Sequence, residues 1–194
     1  MTIHHFDVAA IAPTPWKNDG GTTREVVRWP ADAGAGFDWR ASIATIDTSG
    51  PFSVYPGIER TIMLIEGDGL RLKSKDDRDH LIDHRLDAPF EPFRFPGEAS
   101  LYAKLLGGPS ADFNLMVRRG RLRAQVRVLT SASRIDAAPH GLLLSLAGTW
   151  RLKAGIGEVH CPVRQGLWWA DAQMRVDASP QDASAMLLAV RLTP

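Results

Sequence analysis

The chain has 194 residues, of which 44% are hydrophobic and 23% are charged, and its formal net charge at pH 7 is +1. This length suits one large domain or two small ones with apolar cores, and the balanced charge argues against binding to nucleic acid or to anionic lipid. The longest run without Asp, Glu, Lys or Arg, residues 137–150, is shorter than the roughly 20 residues of a membrane-spanning helix. The N-terminus lacks the pattern of a secretory signal, and the single cysteine, Cys161, cannot form an intramolecular disulfide. The sequence therefore predicts a cytoplasmic protein.

Short alternating runs bounded by Gly, Pro, Asp and Asn predict an all-β fold. In chain order, the predicted strands of the first half cover 24–29, 37–46, 60–65, 70–73, 80–84, 100–106, 112–118 and 122–129. After a connector at 130–139, the predicted strands of the second half cover 142–146, 150–153, 158–160, 167–169, 174–177 and 185–192. The predicted domains are residues 1–120, which carry the ligand pocket, and residues 121–194, with both halves packed as one unit.

Two stretches of the chain resemble each other. Residues 61–73 and 142–153 each comprise an apolar strand, a Gly-containing turn and an alternating strand. Any hairpin with a Gly turn has this appearance, so the similarity is only weak evidence for a duplication. Two small barrels, or one sandwich of two duplicated halves, would both bury these strands.

The first polar segment whose side chains could bind a ligand or take part in catalysis is residues 15–25. It places Lys17, Asn18, Thr23 and Glu25 around a Gly-Gly pair at which the backbone can turn tightly. It is not a Walker loop, because no Lys-Ser/Thr pair follows the second glycine at the required spacing. The alternative interpretation is a polar turn that leads into the next strand.

Strand alternation places further polar residues on common faces. Arg40 and Ser42 lie on the face opposite Trp39, and Asn114 lies on the face opposite Phe113. Each polar face is exposed to solvent or lines a barrel interior, and the alternation does not separate these two possibilities.

Arg60 begins a strand that becomes apolar on both faces, and a buried guanidinium needs a partner or an anion. Residues 50–69 resemble the first cupin motif, Gly-x5-His-x-His-x3-4-Glu-x6-Gly, with Arg60 at the Glu position. Residues 95–100 resemble the second motif, with Ser100 in place of its histidine. Because all four metal ligands are replaced and a guanidinium repels a cation, the sequence predicts a site without a metal or other cofactor that favours an anion.

Other signals favour structural roles. His80 and His84 lie in a highly charged segment and are assigned to a solvated hairpin. The arginines of 118–127 alternate with apolar residues, which is typical of a half-exposed strand and not of nucleic-acid binding. Gly141 occupies the position of the cupin carboxylate in the second half, so that half is expected to lack a comparable site.

Together these segments resemble the HutD/Ves family of bacterial duplicated cupins. The resemblance rests on residues 16–25, 37–43, 50–53, 56–57 with Arg60, 95–97 and 112–120. Asp19 departs from the family pattern, where glycine is usual. The resemblance implies a bicupin linked to histidine utilisation that restrains flux by binding a small acidic metabolite such as urocanate or formylglutamate.

The predicted site combines guanidinium, ammonium and neutral polar groups suited to a carboxylate. The predicted ligand-binding residues are Lys17, Asn18, Thr23, Glu25, Arg40, Ser42, Arg60 and Asn114. The first hypothesis is a metal-free protein that binds a small carboxylate. The second is a metal-independent isomerase or hydrolase with Glu25 as general base, and the third is a scaffold that binds partner proteins through edge strands. The ligand's identity, a homodimer and a site in the second half are left open.

Overall fold

The structure, a computed structural model, describes residues 2–32, 36–75, 81–155 and 157–194. These residues form nineteen strands and one short 3-10 helix, Val8–Ala10. No helix in these ranges is long and apolar enough to cross a membrane. The strands are β1 (Ile3–Asp7), β2 (Thr14–Pro15), β3 (Gly21–Trp29), β4 (Trp39–Ile46), β5 (Gly50–Pro51), β6 (Ile58–Glu66), β7 (Leu70–Ser74), β8 (Asp83–Leu86), β9 (Phe93–Pro96), β10 (Leu101–Leu105), β11 (Ser110–Arg118), β12 (Arg123–Leu129), β13 (Ser133–Ala138), β14 (His140–Ala147), β15 (Trp150–Ala154), β16 (Gly157–Cys161), β17 (Gln165–Trp169), β18 (Met174–Pro180) and β19 (Met186–Thr193).

The chain forms two compact units, and the N-terminal segment belongs to the second of them. One unit is Ala12–Arg121, and the other combines Met1–Ile11 with Leu122–Pro194. The second unit includes the first strand because all five residues of β1 pair with β17. The prediction of one domain at residues 1–120 and another at 121–194 stays a prediction.

The unit Ala12–Arg121 contains two antiparallel sheets. The six-stranded sheet has the order β2-β3-β4-β11-β6-β9, and the four-stranded sheet has the order β5-β10-β7-β8. Their apolar faces pack against each other: Ile62 and Leu64 of β6 share one buried cluster with Leu70 and Leu72 of β7. The prediction of a closed barrel is wrong. The strands β6 and β7 belong to different sheets, and each sheet ends at an edge strand on both sides.

The second unit has the same two-sheet design with its own core. Its five-stranded sheet has the order β1-β17-β14-β19-β12, and its four-stranded sheet has the order β13-β18-β15-β16. Leu143 and Trp169 of the larger sheet pack with Trp150, Leu152 and Val176 of the smaller one. Cys161 is buried in this core, and burial raises the pKa of its thiol to about 11, as expected for an unreactive cysteine.

Strand orders correspond between the two units. The series β4-β11-β6-β9 matches β12-β19-β14-β17, and the series β5-β10-β7-β8 matches β13-β18-β15-β16. The two similar stretches of sequence fall on β6 with β7 and on β14 with β15, which are equivalent in this comparison. Neither stretch is a hairpin, because its two strands lie in different sheets.

All fourteen predicted strands have a counterpart in the structure, with ends shifted by a few residues. The prediction for 80–84 is confirmed for its C-terminal part, and His80 lies outside the described residues. Five strands were not predicted: β1, β2, β5, β9 and β13. The predicted connector at 130–139 contains the last of these.

Candidate functional site

A cavity of about 710 Å³ lies in the unit Ala12–Arg121 against the inner face of the six-stranded sheet. Strands β3, β4, β6 and β11 provide its floor, and the loops at residues 14–18 and 51–55 provide walls. The floor residues Ser42, Arg60, Asp112 and Asn114 are buried. Lys17, Asn18 and Glu25 are exposed, so the cavity has a buried polar floor and an open, charged mouth.

Strand register explains why the floor is polar. In the centre of the sheet, Met116 of β11 pairs with Arg40 on one side and with Arg60 on the other. Two residues along β11, Asn114 pairs with Ser42, and Asp112 follows after another two residues. Because residues two apart share a face, Asp112, Asn114 and Met116 all face the cavity. Neighbouring strands lie about 4.8 Å apart, so Arg40 and Arg60 are separated by about 10 Å at the backbone and can approach one small anion.

Arg60 is the most enclosed cation of the cavity, with only 5% of its surface exposed. Its guanidinium lies 5.1 Å from the ring centres of Phe52 and Phe95 and 5.7 Å from that of Tyr55. Its Nη1 donates a hydrogen bond of 3.2 Å to the carbonyl oxygen of Ser53. Burial lowers the pKa of Arg60 to about 10, against an opposing effect of Asp112, so the side chain stays cationic at neutral pH.

Asp112 is the buried acidic group of the floor, with 2% of its surface exposed. Burial raises its pKa to about 7, and the charge of Arg60 opposes this rise without cancelling it. The two side chains form no ion pair within 4.0 Å among the described residues. The positive charge of Arg60 is therefore not neutralised by direct contact with this carboxyl.

Glu25 organises the arginines at the cavity mouth. Arg40 donates a hydrogen bond from Nε to Glu25 Oε2, and Arg28 Nε lies 3.4 Å from Glu25 Oε1. Arg28 can join Glu25 on the cavity side because the pairing of β3 with β4 shifts by one residue between Glu25 and Val27. Such a bulge places residues three apart on the same face. Glu25 thus holds two guanidiniums in place at the entrance.

The loop at 14–18 is fixed by contacts with β3. Trp16 donates a hydrogen bond of 2.8 Å from its indole nitrogen to Thr23 Oγ1, and its backbone N–H donates to the carbonyl of Gly21 at 2.9 Å. Asn18 Oδ1 accepts from the N–H of Gly20 at 3.2 Å. These contacts hold Lys17 and Asn18 beside the cavity, while the hydroxyl of Thr23 is engaged by the indole.

All eight residues predicted to bind a ligand line this one cavity. Their role in binding stays a prediction. Asp112 was not among the predicted binding residues, although alternation places it on the same face as Asn114. Arg28 was not predicted either, because strict alternation puts Arg28 and Glu25 on opposite faces and the sequence gives no sign of the bulge. The aromatic contacts of Arg60 depend on the path of the 51–55 loop, which alternation does not predict.

The donor set at this site does not fit a metal ion of the kind that the cupin motifs hold. The Glu position of the motif carries the guanidinium of Arg60, and the neighbouring Ser53 and Tyr55 offer no imidazole. In the described part of the chain, no three His, Cys, Asp or Glu residues are grouped closely enough to hold a metal. A guanidinium among aromatic rings favours an anion instead.

The equivalent place in the other unit is filled by a side chain. Gly141 of β14 pairs with Trp169 of β17, just as Arg60 of β6 pairs with Phe95 of β9. A Cβ at residue 141 would lie 2.3 Å from the Trp169 ring, which is fully buried and donates from its indole nitrogen to the Ala138 carbonyl at 2.9 Å. The ring therefore occupies the space that a side chain on residue 141 would need.

Comparisons with known proteins give a consistent assignment. The profile of the HutD family matches residues 8–187. Protein Ves from Escherichia fergusonii is 34% identical over 172 residues, which is 88% of this chain and 85% of that protein. A conserved protein of unknown function from Pseudomonas aeruginosa PAO1 has a structure with a TM-score of 0.87, 27% identity and coverage of 100% of both chains. HutD from Pseudomonas fluorescens SBW25, solved in a formate condition, has a TM-score of 0.80 and 28% identity over 99% of this chain and 98% of that one.

More distant solved structures share the fold alone. Two of them, 9% and 7% identical to this chain, have TM-scores of 0.69 and 0.68 and are cupin-like. The predicted cupin relationship is thus confirmed at the level of an all-β, cupin-like fold.

Proposed function

We propose, from the premise that the chain belongs to the HutD family, that it is a metal-free protein that binds a small carboxylate metabolite and so modulates histidine utilisation. Urocanate and formylglutamate are the first candidate ligands, because the family resemblance implies them. The single cysteine supports a cytoplasmic site of action.

One observation carries this proposal: a buried guanidinium faces a cavity without an acidic partner in contact. Arg60 is held by aromatic rings and one carbonyl, so its charge is only partly compensated. The cavity has more cationic than acidic side chains, and Glu25 is already engaged by Arg40 and Arg28. A carboxylate would complete the coordination of Arg60 through charge-assisted hydrogen bonds.

The alternative of a metal-independent isomerase or hydrolase gains no support from the position of Glu25. Both of its carboxylate oxygens are engaged by guanidiniums, one by Arg40 and one by Arg28. A general base must have a lone pair directed at the substrate proton, and one lone pair on each oxygen of Glu25 is already directed at a guanidinium.

A relationship by duplication is a second part of the proposal. We infer that the two units descend from one cupin domain and that only the first kept a ligand site. The corresponding strand orders and the position of the two similar sequence stretches support this inference. The second unit has Gly141 at the pairing position equivalent to Arg60. The absence of a charged side chain there supports the loss of a site in this unit.

The binding proposal is tested by calorimetric titration of the protein with urocanate, formylglutamate and formate. We expect at least one acid to bind, and we expect Arg60→Ala to weaken it by about tenfold or more, since a charged hydrogen bond contributes about 1.5–3 kcal/mol. Arg60→Lys should recover only part of the affinity, because an ammonium keeps the charge but loses the planar fork.

The matched control is Arg94→Ala, since Arg94 is an exposed arginine of β9 that pairs with Glu59. This variant should bind like the wild type. Circular dichroism of each variant checks folding. Unchanged affinity in folded Arg60→Ala and Arg60→Lys, or no binding of any of the three acids to the wild type, would contradict the proposal.

A further inference from the structure

Three buried polar atoms on the cavity floor have no hydrogen-bond partner within the described residues: Arg60 Nε, Asp112 Oδ1 and Asn114 Oδ1. All three residues line the cavity, and each is at least nine-tenths buried. A buried polar atom without a partner costs about 1–3 kcal/mol. Three such atoms on residues that line one cavity support a ligand that supplies the missing partners.

One of these three atoms is a hydrogen-bond donor and the other two are oxygens. Arg60 Nε is a donor and requires an acceptor, which a carboxylate provides. Above the pKa of Asp112, about 7, the free oxygens of Asp112 and Asn114 are both acceptors, and a carboxylate has no hydrogen to offer them. An acid that carried only a carboxylate would leave these two oxygens unsatisfied and would bring a negative charge towards Asp112.

The spacing of the two kinds of atom fits one small molecule. Arg60 is level with Met116 in the strand register, and Asn114 lies two residues farther along β11. A strand rises about 3.4 Å per residue, so the backbone positions differ by about 7 Å along the strand. Asp112 lies two residues beyond Asn114 in the same row, about 14 Å from the level of Arg60 at the backbone. A ligand of a few bonds in length therefore spans the step from Arg60 to Asn114, and its far end points towards Asp112.

We propose, resting on the proposed function, that the ligand is a carboxylic acid that also bears an N–H group, with its carboxylate on Arg60 and its N–H directed at Asp112 and Asn114. The acid end provides affinity through the arginine. The N–H end provides selectivity, because an analogue without the hydrogen leaves buried acceptors unpaired.

The test uses pairs of acids that differ only in this group. The titrations are made at pH 8, where Asp112 is mostly ionised. N-acetylglycine and levulinate have the same chain length and exchange an N–H for a CH₂, and urocanate and furylacrylate exchange an imidazole for a furan. We expect the N–H member of each pair to bind about tenfold or more tightly to the wild type, as for a hydrogen bond to a charged group. Equal affinity within both pairs would overturn this inference but leave carboxylate binding by Arg60 intact, whereas no binding by any of the four acids would overturn both.

Variants of Asp112 and Asn114 test whether these two residues cause the preference for the acid that bears an N–H. Asp112→Asn should reduce the N–H preference to less than about threefold, because the amide offers a weaker acceptor than a carboxylate. The matched control is Glu25→Gln, which alters another carboxyl of the cavity and should change the affinity of both members of a pair alike. An unchanged N–H preference in folded Asp112→Asn would also overturn the inference, and Asn114→Leu provides a second measurement of the same row.

Discussion

The proposed function rests on the buried guanidinium of Arg60. Its environment contains three aromatic rings that stabilise a cation through their faces and a carbonyl that accepts one of its hydrogens. An arginine suits this position better than a lysine, since its delocalised charge is less strongly hydrated and its planar fork can bind two carboxylate oxygens together. The site keeps a positive charge at low solvent exposure, which strengthens its attraction for an anion.

Asp112 makes folding stability depend on pH. Its pKa in the folded protein is about 7 and thus lies above its value in the unfolded chain, about 4. A group with a raised folded pKa contributes stability that is fully present below the unfolded pKa and is lost as the pH rises through the folded pKa. Asp112→Asn removes this loss, so the variant should gain on the order of 2 kcal/mol relative to the wild type between pH 5 and pH 8.

Denaturant unfolding of both proteins at several pH values measures this difference. Asp47→Asn, a change of an exposed carboxyl in the same unit, is the control and should show no such trend. A wild-type-to-variant difference that stays constant from pH 5 to pH 8 is the result that argues against a buried, titrating Asp112.

The residues of the cavity floor could be predicted from the sequence to the extent that they follow strict alternation. Arg40, Ser42 and Asn114 all do so and line the cavity. Arg28 does not, because its orientation depends on a bulge. Asp112 followed the pattern, but nothing in the sequence showed that its strand is covered and its carboxyl buried.

At the scale of elements, the contacts around Gly20 and Gly21 explain why glycine is needed at one of these two positions. A Cβ at Gly21 would lie 2.2 Å from the carbonyl oxygen of Thr45 and 3.2 Å from the Trp16 ring, where β3 passes closest to β4. A Cβ at Gly20 would meet only side-chain atoms of Thr48 and Asn18, at 3.2 Å and 3.3 Å. The second glycine is thus required by a backbone contact, whereas the first faces atoms that can move.

This difference predicts unequal effects of two adjacent substitutions. Gly21→Ala should destabilise the protein by about 2 kcal/mol or more, and it should weaken carboxylate binding by displacing Trp16 and Lys17. Gly20→Ala should cost less than about 1 kcal/mol. Denaturant unfolding and titration with a bound acid measure both effects, and equal destabilisation by the two changes would argue against the close approach.

The five strands that the sequence did not predict are all at sheet edges. They are β1, β2, β5, β9 and β13, and each ends one of the four sheets. An edge strand needs less burial and tolerates proline, so its hydrophobic pattern is weak; Pro15, Pro51 and Pro96 lie in three of these strands. The central strands are buried on both faces or alternate clearly, and these were predicted.

At the scale of the whole molecule, the sequence predicted the all-β class but not the path of the first strand. Residues Ile3–Asp7 pair with β17, more than 150 positions away in the chain, and a short half-exposed segment contains no signal of such a distant partner. Closed barrels were expected because relatives of the motif form them, and the sheets instead end at edges. Both differences concern pairing between strands that are distant in sequence, which hydrophobic pattern alone does not specify.

A comparison of equivalent positions in the two units predicts one ligand site per chain. In the unit Ala12–Arg121, the position paired with Phe95 carries Arg60 and faces a cavity. In the other unit, the position paired with Trp169 is Gly141, and the indole fills the adjoining space. At this pair of equivalent positions, the unit Ala12–Arg121 has both a cation and room for an acid, whereas the other unit has neither.

A crystal structure of the protein with saturating urocanate or N-acetylglycine tests this account most directly. The binding proposal predicts one acid per chain, with carboxylate oxygens about 3 Å from the guanidinium of Arg60 and no acid beside Gly141. An acid bound elsewhere while Arg60 contacts only the protein, or a metal ion held at the position of Arg60, would contradict it.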